Sequence, residues 1–229
     1  MIPVNGMLSQ IQAVLFDLDG TLVDTNIDFP RMREETLRLA ESYGVPRDDL
    51  AHRDILDIVS VARDRLAESG AARRAEAFSA DAEAVLKEIE LHHARRTAAV
   101  DGAEELLRAL ASAGIKTAVV TRNCRAASEL SLKLAGLVCD VVITREDVGS
   151  VKPNPDHLHA ALVRLGVEPS GALMVGDYTL DIQAGKAAGM RTVAFLRPYR
   201  QPGFFDDAAP DAVITSLREL LDALVDLHR

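Results

Sequence analysis

"AVLFDLDGTLVDT", residues 13–25, opens as an unbroken apolar run and stops at two acids, Asp17 and Asp19, with Gly20 and Thr21 behind them. The run over residues 11–16 has the length and composition of a strand covered on both faces, and such strands belong to parallel sheets flanked by helices. Alternate residues of an extended chain point the same way, so Asp17 and Asp19 address one crevice. Two like charges at that spacing repel, unless a cation lies among them or one carboxyl keeps its proton.

Working outward, residues 26–97 lack β-branched runs and read as helices. Ile55, Ile58, Val59, Ala62 and Leu66 recur at three-to-four spacing, as do Phe78, Ala82, Val85, Leu86 and Ile89, with Arg and Glu on the remaining faces. Gly44-Val45-Pro46 and Ser69-Gly70 mark breaks between these helices. Their stripes are the core of a small helical bundle.

From residue 98 helices alternate with short apolar strands. "DGAEELLRALASAG" has Asp101 and Glu104 in capping-box spacing and Gly114 in the C-terminal position. "IKTAVVT" and "CDVVIT" read as strands, "NPDHLHAALVRLG" as a helix with Asn154 as cap and Pro155 at its first position, and "ALMVGD" as a further strand. A helix over 181–188, the strand "RTVAF" and the closing "DAVITSLRELLDALVDL" complete the series. Strands separated by helices imply a parallel sheet with helices on both faces, and the first strand needs that sheet for its partners. The expected organisation is an α/β core of residues 1–24 and 98–229 with an inserted all-α cap of residues 25–97.

Composition narrows the function. The chain has 229 residues, of which 48% are hydrophobic and 27% charged, with a net charge of −9, so a nucleic-acid backbone meets a repulsive surface. Cys124 and Cys139 match no metal-ligand spacing and read as free thiols of a reducing compartment. No apolar run is long enough to span a bilayer, and the start lacks a basic segment followed by a long apolar one. The expectation is a cytoplasmic protein with neither nucleic acid nor membrane as partner; its oligomeric state is not legible.

Ligands of such sheets bind beyond the carboxyl ends of the strands. Asp17 and Asp19 follow the first strand, Thr121 ends the second, Lys152 lies in the loop after the third, and Asp177 follows the fourth with Asp181 close behind. Asp17, Asp19 and Asp177 offer hard oxygen ligands with no cysteine or histidine set nearby, which makes Mg²⁺ the natural cation and points to phosphoryl chemistry. A calcium loop counted from Asp17 fails, because its sixth and twelfth positions hold Leu22 and Asp28. "AGKAAG" around Lys186 lacks the spacing and hydroxyl of a P-loop. His92, His93, His157 and His159 read as structural or surface residues.

In that order, "DLDGT", "VVTRN", "KPNP" and "GDYTLD" resemble the four motifs of the haloacid dehalogenase superfamily, and the helical insertion resembles members with a small α-helical cap, phosphoglycolate-phosphatase-like enzymes most of all. The resemblance implies a Rossmann-like core and a Mg²⁺-dependent phosphatase acting on a small phosphorylated metabolite. By it, Asp17 is the nucleophile that becomes an aspartyl-phosphate, and Asp19 protonates the leaving alcohol and then activates water. Thr121 and the Arg122 backbone N–H hold the phosphoryl oxygens, and Lys152 neutralises charge. The metal is held by Asp17, the Asp19 backbone carbonyl and Asp177, with Asp181 orienting waters or Lys152 from behind.

The presence of Asp19 argues against a dehalogenase, which has no leaving alcohol to protonate. Lys87, the single lysine of the helical segment, sits on a polar face, which argues against a phosphonatase. A sugar-phosphate mutase with the same motifs and a non-catalytic metabolite-binding module remain as alternatives. Arg31 and Arg33, close behind the first motif, are candidates to meet a second anionic group of the substrate, and Asn123, Arg125 and Arg197 have the same standing.

Overall fold

The computed structural model describes residues 10–227. In chain order its elements are β1 (Ala13–Phe16), β2 (Val23–Asp24), α1 (Phe29–Ser42), α2 (Ile55–Glu68), α3 (Ala72–Ala94), β3 (Ala98–Ala99), α4 (Ala103–Ser112) and β4 (Lys116–Val120). There follow α5 (Arg125–Ala135), β5 (Val141–Ile143), α6 (Asp156–Leu165), β6 (Ala172–Gly176), α7 (Thr179–Ala187), β7 (Arg191–Phe195), β8 (Ala212–Ile214) and α8 (Arg218–Leu227). The chain divides into two compact units, one of residues up to Thr25 together with those from Ala94 onward, the other Asn26–His93.

The first unit is built on a six-stranded sheet in the order β5-β4-β1-β6-β7-β8, with every neighbouring pair parallel. All four residues of β1 are buried, as a strand covered on both faces requires. Val14 and Phe16 join a cluster with Leu106 and Leu110 of α4 and Leu220 and Leu224 of α8. Ala13 and Leu15 face the other way, into Leu158, Leu162 and Leu165 of α6 and Ala184 of α7. Fully burying a side chain such as Phe16 stabilises the fold by about 1.5–3 kcal/mol. The α/β architecture read from the sequence is the architecture observed.

The second unit is helical. Ile58, Ala62 and Leu66 of α2 pack with Leu37 and Ala40 of α1 and Phe78 and Ala82 of α3, and Leu86 and Ile89 pack with Met32 in a second cluster, while Ile55, Val59 and Val85 of the two stripes are half-buried. Asp54 caps α2 by accepting the N–H groups of Leu56 and Asp57 at 2.9 and 3.1 Å.

Local expectations give way in four places. Asp101 does not cap α4: its carboxylate takes Arg218 at 2.9 Å through both oxygens, Glu104 pairs with Arg108, and the cap position falls to Gly102 at φ 82°. Helix α6 starts one residue late, with Pro155 as cap, although Asn154 Oδ1 still accepts the Asp156 N–H at 2.9 Å. Helix α7 begins two residues earlier than read, at Thr179. The antiparallel ribbon of β2 and β3 was not anticipated, because strands of two residues leave no periodicity to detect. Gly114 follows α4 at φ 72°, where the sequence put a C-terminal glycine. Both cysteines are free thiols, Cys124 buried and Cys139 half-buried. No described helix is long and apolar enough to cross a membrane.

Candidate active site

Three adjacent central strands, β4, β1 and β6, end side by side, and the residues just past them are Thr121, Asp17 and Asp177. The ladder continues into these residues: the Asp17 N–H donates to Val175 O at 2.9 Å and the Thr121 N–H to Ile143 O at 2.9 Å. Side chains 160 positions apart in the chain thus meet by strand register alone. Two glycines make the crowding possible. A Cβ on Gly20, which turns the chain at φ +86°, would lie 2.4 Å from Asp177 Oδ2, and one on Gly176 would lie 2.3 Å from Asp181 Oδ2.

The carboxylate oxygens of Asp17, Asp177 and Asp181 lie within 4.8 Å of one another. Lys152 is buried with them, its Nζ 2.6 Å from Asp17 Oδ1 and 2.7 Å from Asp181 Oδ1. Asp181, on the first turn of α7, also accepts the Tyr178 N–H at 3.1 Å. The lysine is held in place from behind, where His157 Nδ1 accepts the Lys152 backbone N–H at 3.2 Å.

Three acids around one ammonium leave a charge deficit, and the proton affinities reflect it. Burial pushes Asp17 up to about 6 against the pull of Lys152, with the Asp181 charge adding to the rise. Burial, then the charges of Asp17 and Asp181, push Asp177 up to about 8. Lys152 is held above its ordinary value by Asp17 and Asp181 in spite of burial. A compact set of hard oxygens short of positive charge fits a small divalent cation such as Mg²⁺.

Asp19 stands apart from that cluster, its side chain engaged differently. Its Oδ1 accepts from the Thr25 hydroxyl and its Oδ2 from Asn123 Nδ2. Asn123, read from the sequence as a substrate contact, therefore touches the second acid of the first motif, and Thr25 was missed although it closes the stretch that decides the fold. Thr121 is buried and its hydroxyl accepts the Asn123 N–H at 3.2 Å. The Arg122 carbonyl accepts from Arg145 at 3.0 Å.

The other arginines singled out in the sequence, Arg125, Arg197, Arg31 and Arg33, have carboxylate or carbonyl partners. Arg125 pairs with Asp147 and Glu129, and Arg197 with Asp24 at 2.7 Å. In the helical unit Arg31 lies 3.9 Å from Glu35, and Arg33 donates to the carbonyls of Ala51 and Arg53. Sequence reasoning also missed Tyr199, whose hydroxyl donates to Asp177 Oδ2 at 3.4 Å. It sits in a loop after β7 that has no periodic signal.

A doubly covered parallel sheet that gathers carboxylates and a buried lysine at the ends of its central strands is the framework of an α/β enzyme. Its family follows from likeness to known proteins: residues 14–195 match the family of haloacid dehalogenase-like hydrolases, and the chain belongs to that family. The pyrophosphatase PpaX of Halalkalibacterium halodurans is 32% identical over 215 residues, covering 93% of this chain and 96% of its own. Among solved structures, a HAD phosphatase from Thermococcus onnurineus is 28% identical with a TM-score of 0.60, covering 93% of this chain and 98% of its own. A structure described as a predicted phosphoglycolate phosphatase, from Haemophilus somnus, shares the fold at a TM-score of 0.62 and 20% identity, covering 93% of this chain and 97% of its own.

Proposed function

We propose that this hydrolase is a Mg²⁺-dependent phosphatase that cleaves a small phosphomonoester through an aspartyl-phosphate on Asp17. The observation that carries the reading is the pairing of Lys152 Nζ with Asp17 Oδ1 at 2.6 Å inside the acidic cluster. An attacking carboxylate needs its repulsion from a phosphate cancelled, and the buried ammonium supplies part of that at the attacking group itself. Asp17 and Asp177, with Asp181 beside them, would hold a divalent cation, which would supply the rest as a Lewis acid. The names of the relatives, a pyrophosphatase and phosphatases, support small phosphorylated substrates.

In this reading the free Asp17 oxygen attacks phosphorus while Asp19 gives a proton to the departing alkoxide, which breaks the P–O bond. Asp19, then ionised, takes a proton from water, whose oxygen attacks the phosphorus of the acyl phosphate and releases inorganic phosphate and the Asp17 carboxylate. Thr25 and Asn123 aim the Asp19 carboxyl, and the Thr121 hydroxyl with the Arg122 N–H binds phosphoryl oxygens. Asp17→Asn is expected to lower Mg²⁺-dependent phosphate release from p-nitrophenyl phosphate by about a thousandfold or more with an unchanged circular dichroism spectrum. Retention of wild-type turnover in that variant defeats the proposal.

A further inference from the structure

Beyond the acidic cluster, the loop that follows β7 carries a cation that no carboxylate among the described residues pairs with. Arg200 lies over three aromatic rings, 4.4 Å from the centroid of Phe204, 5.0 Å from Tyr178 and 5.4 Å from Tyr199. Among the described residues no carboxylate pairs with it, and its buried Nε has no hydrogen-bond partner. Arg197, three positions earlier, shows the alternative: it also stacks on aromatic rings, yet it is paired with Asp24.

Two links tie Arg200 to the reaction centre. Tyr178 is the residue after Asp177, and Tyr199 reaches Asp177 Oδ2 with its hydroxyl at 3.4 Å. The loop is built rather than loose: the Arg200 N–H donates to Arg197 O at 2.9 Å, and Phe205 is buried against Ile182 of α7 and Ala194 of β7. Such a cage fixes the guanidinium plane before any ligand arrives, which lowers the cost of binding an anion. Tyr178 and Tyr199 are 43% and 64% exposed, so the cage opens to solvent beside Asp177.

We propose that Arg200 is a second anion-binding residue of this site, selecting phosphoesters and anhydrides whose leaving group carries a further negative group, a carboxylate or a second phosphate. This rests on the phosphatase reading above and adds to it a substrate class. Lys152 does not serve this purpose, because Asp17 and Asp181 already occupy it.

The test compares kcat/KM for inorganic pyrophosphate and for phosphoglycolate with that for p-nitrophenyl phosphate, whose leaving group carries no second acid, in the wild type, Arg200→Met and Arg200→Lys. Arg200→Met is expected to lower the ratio of an anionic-tailed substrate to p-nitrophenyl phosphate by about ten- to a hundredfold, chiefly through KM, with Arg200→Lys recovering part. The substrate with the larger fall tells a second phosphate from a carboxylate. Ratios that stay constant overturn the proposal, including the case of equal losses that a merely structural residue would give. If the wild type releases phosphate from none of the three, the phosphatase reading fails. Arg200 is then judged by calorimetry with methylenediphosphonate and Mg²⁺: binding at least tenfold weaker in Arg200→Met upholds the anion site, whereas equal affinity, or no binding by the wild type, overturns it.

Discussion

Gly20 does two things that no side chain can do at once. It turns the chain at φ +86°, and it leaves the space in which Asp177 sits. An alanine there carries strain of about 1–3 kcal/mol for its backbone alone, and its Cβ would stand 2.7 Å from the Asp177 Cγ. Asp177 is short and buried, so it must swing out of the cluster rather than bend away. Gly20→Ala is expected to raise the Mg²⁺ concentration for half-maximal phosphate release at least tenfold and to lower the melting temperature by several degrees. A magnesium titration with unchanged midpoint would show that Asp177 does not depend on this gap. At the same scale, Asp19 is held from two sides, by Thr25 and by Asn123, so that its carboxyl has one orientation. Asn123→Ala is expected to cost about tenfold in kcat with little change in KM, since aiming a proton is a transition-state matter. A rise in KM with unaltered kcat would place Asn123 on the substrate instead.

Among the elements, α6 carries the loop that delivers Lys152. Its second residue, His157, is buried, and its ring nitrogen accepts the Lys152 backbone N–H, which requires the neutral ring. Burial and then the Lys152 charge hold its pKa down at about 3, against 6.5 when unfolded. The folded state therefore resists a proton that the unfolded chain takes up readily. Stability from this group is complete above pH 6.5 and is lost as pH falls from 6.5 towards 3, at up to about 1.4 kcal/mol per pH unit. His157→Phe is expected to be less stable at pH 8 by about 1–3 kcal/mol, the cost of an orphaned buried N–H, and to lose stability less steeply between pH 6.5 and 4. Urea denaturation across that range decides it, and parallel pH curves for the two proteins would remove His157 from the account. The same element shows what a sequence reveals. The buried face of α6 and the acids past β1 and β6 were legible, because periodicity and strand length are local properties. The failed cap of α4 was not, because the residue that takes Asp101 is Arg218, 117 positions away. Nor was the Asn123 contact to Asp19, which spans 104 positions and depends on β4 lying beside β1. Asp181 illustrates the intermediate case. The resemblance carried by "GDYTLD" implied that it orients waters or Lys152; that it pairs directly with Lys152, at 2.7 Å, beside the space left at Gly176, only the structure shows.

For the molecule as a whole, the acidic cluster is a stability liability that a cation should convert into an asset. The chain already carries a net charge of −9, and three further-desolvated carboxylates against one lysine add repulsion that the fold must absorb. A ligand that binds only the folded state stabilises it by about 2.7 kcal/mol at a hundred times its dissociation constant. For a chain of this size that corresponds to a rise in melting temperature of about 5–10 °C. Adding Mg²⁺ to the metal-stripped protein is therefore expected to raise the melting temperature by that amount, and EDTA to reverse it. Above pH 8, where Asp177 is ionised, Asp177→Asn should melt higher than the wild type without metal, because one of the repelling charges is gone, and it should lose most of the Mg²⁺ response, because a ligand is gone with it. Sodium chloride at matched ionic strength separates local binding from general screening of the negative surface, since screening acts on exposed charges and far less on a buried cluster. If salt alone reproduces the Mg²⁺ shift, or if Asp177→Asn responds to Mg²⁺ as the wild type does, these carboxylates are not a cation site and the phosphatase reading loses its electrostatic basis.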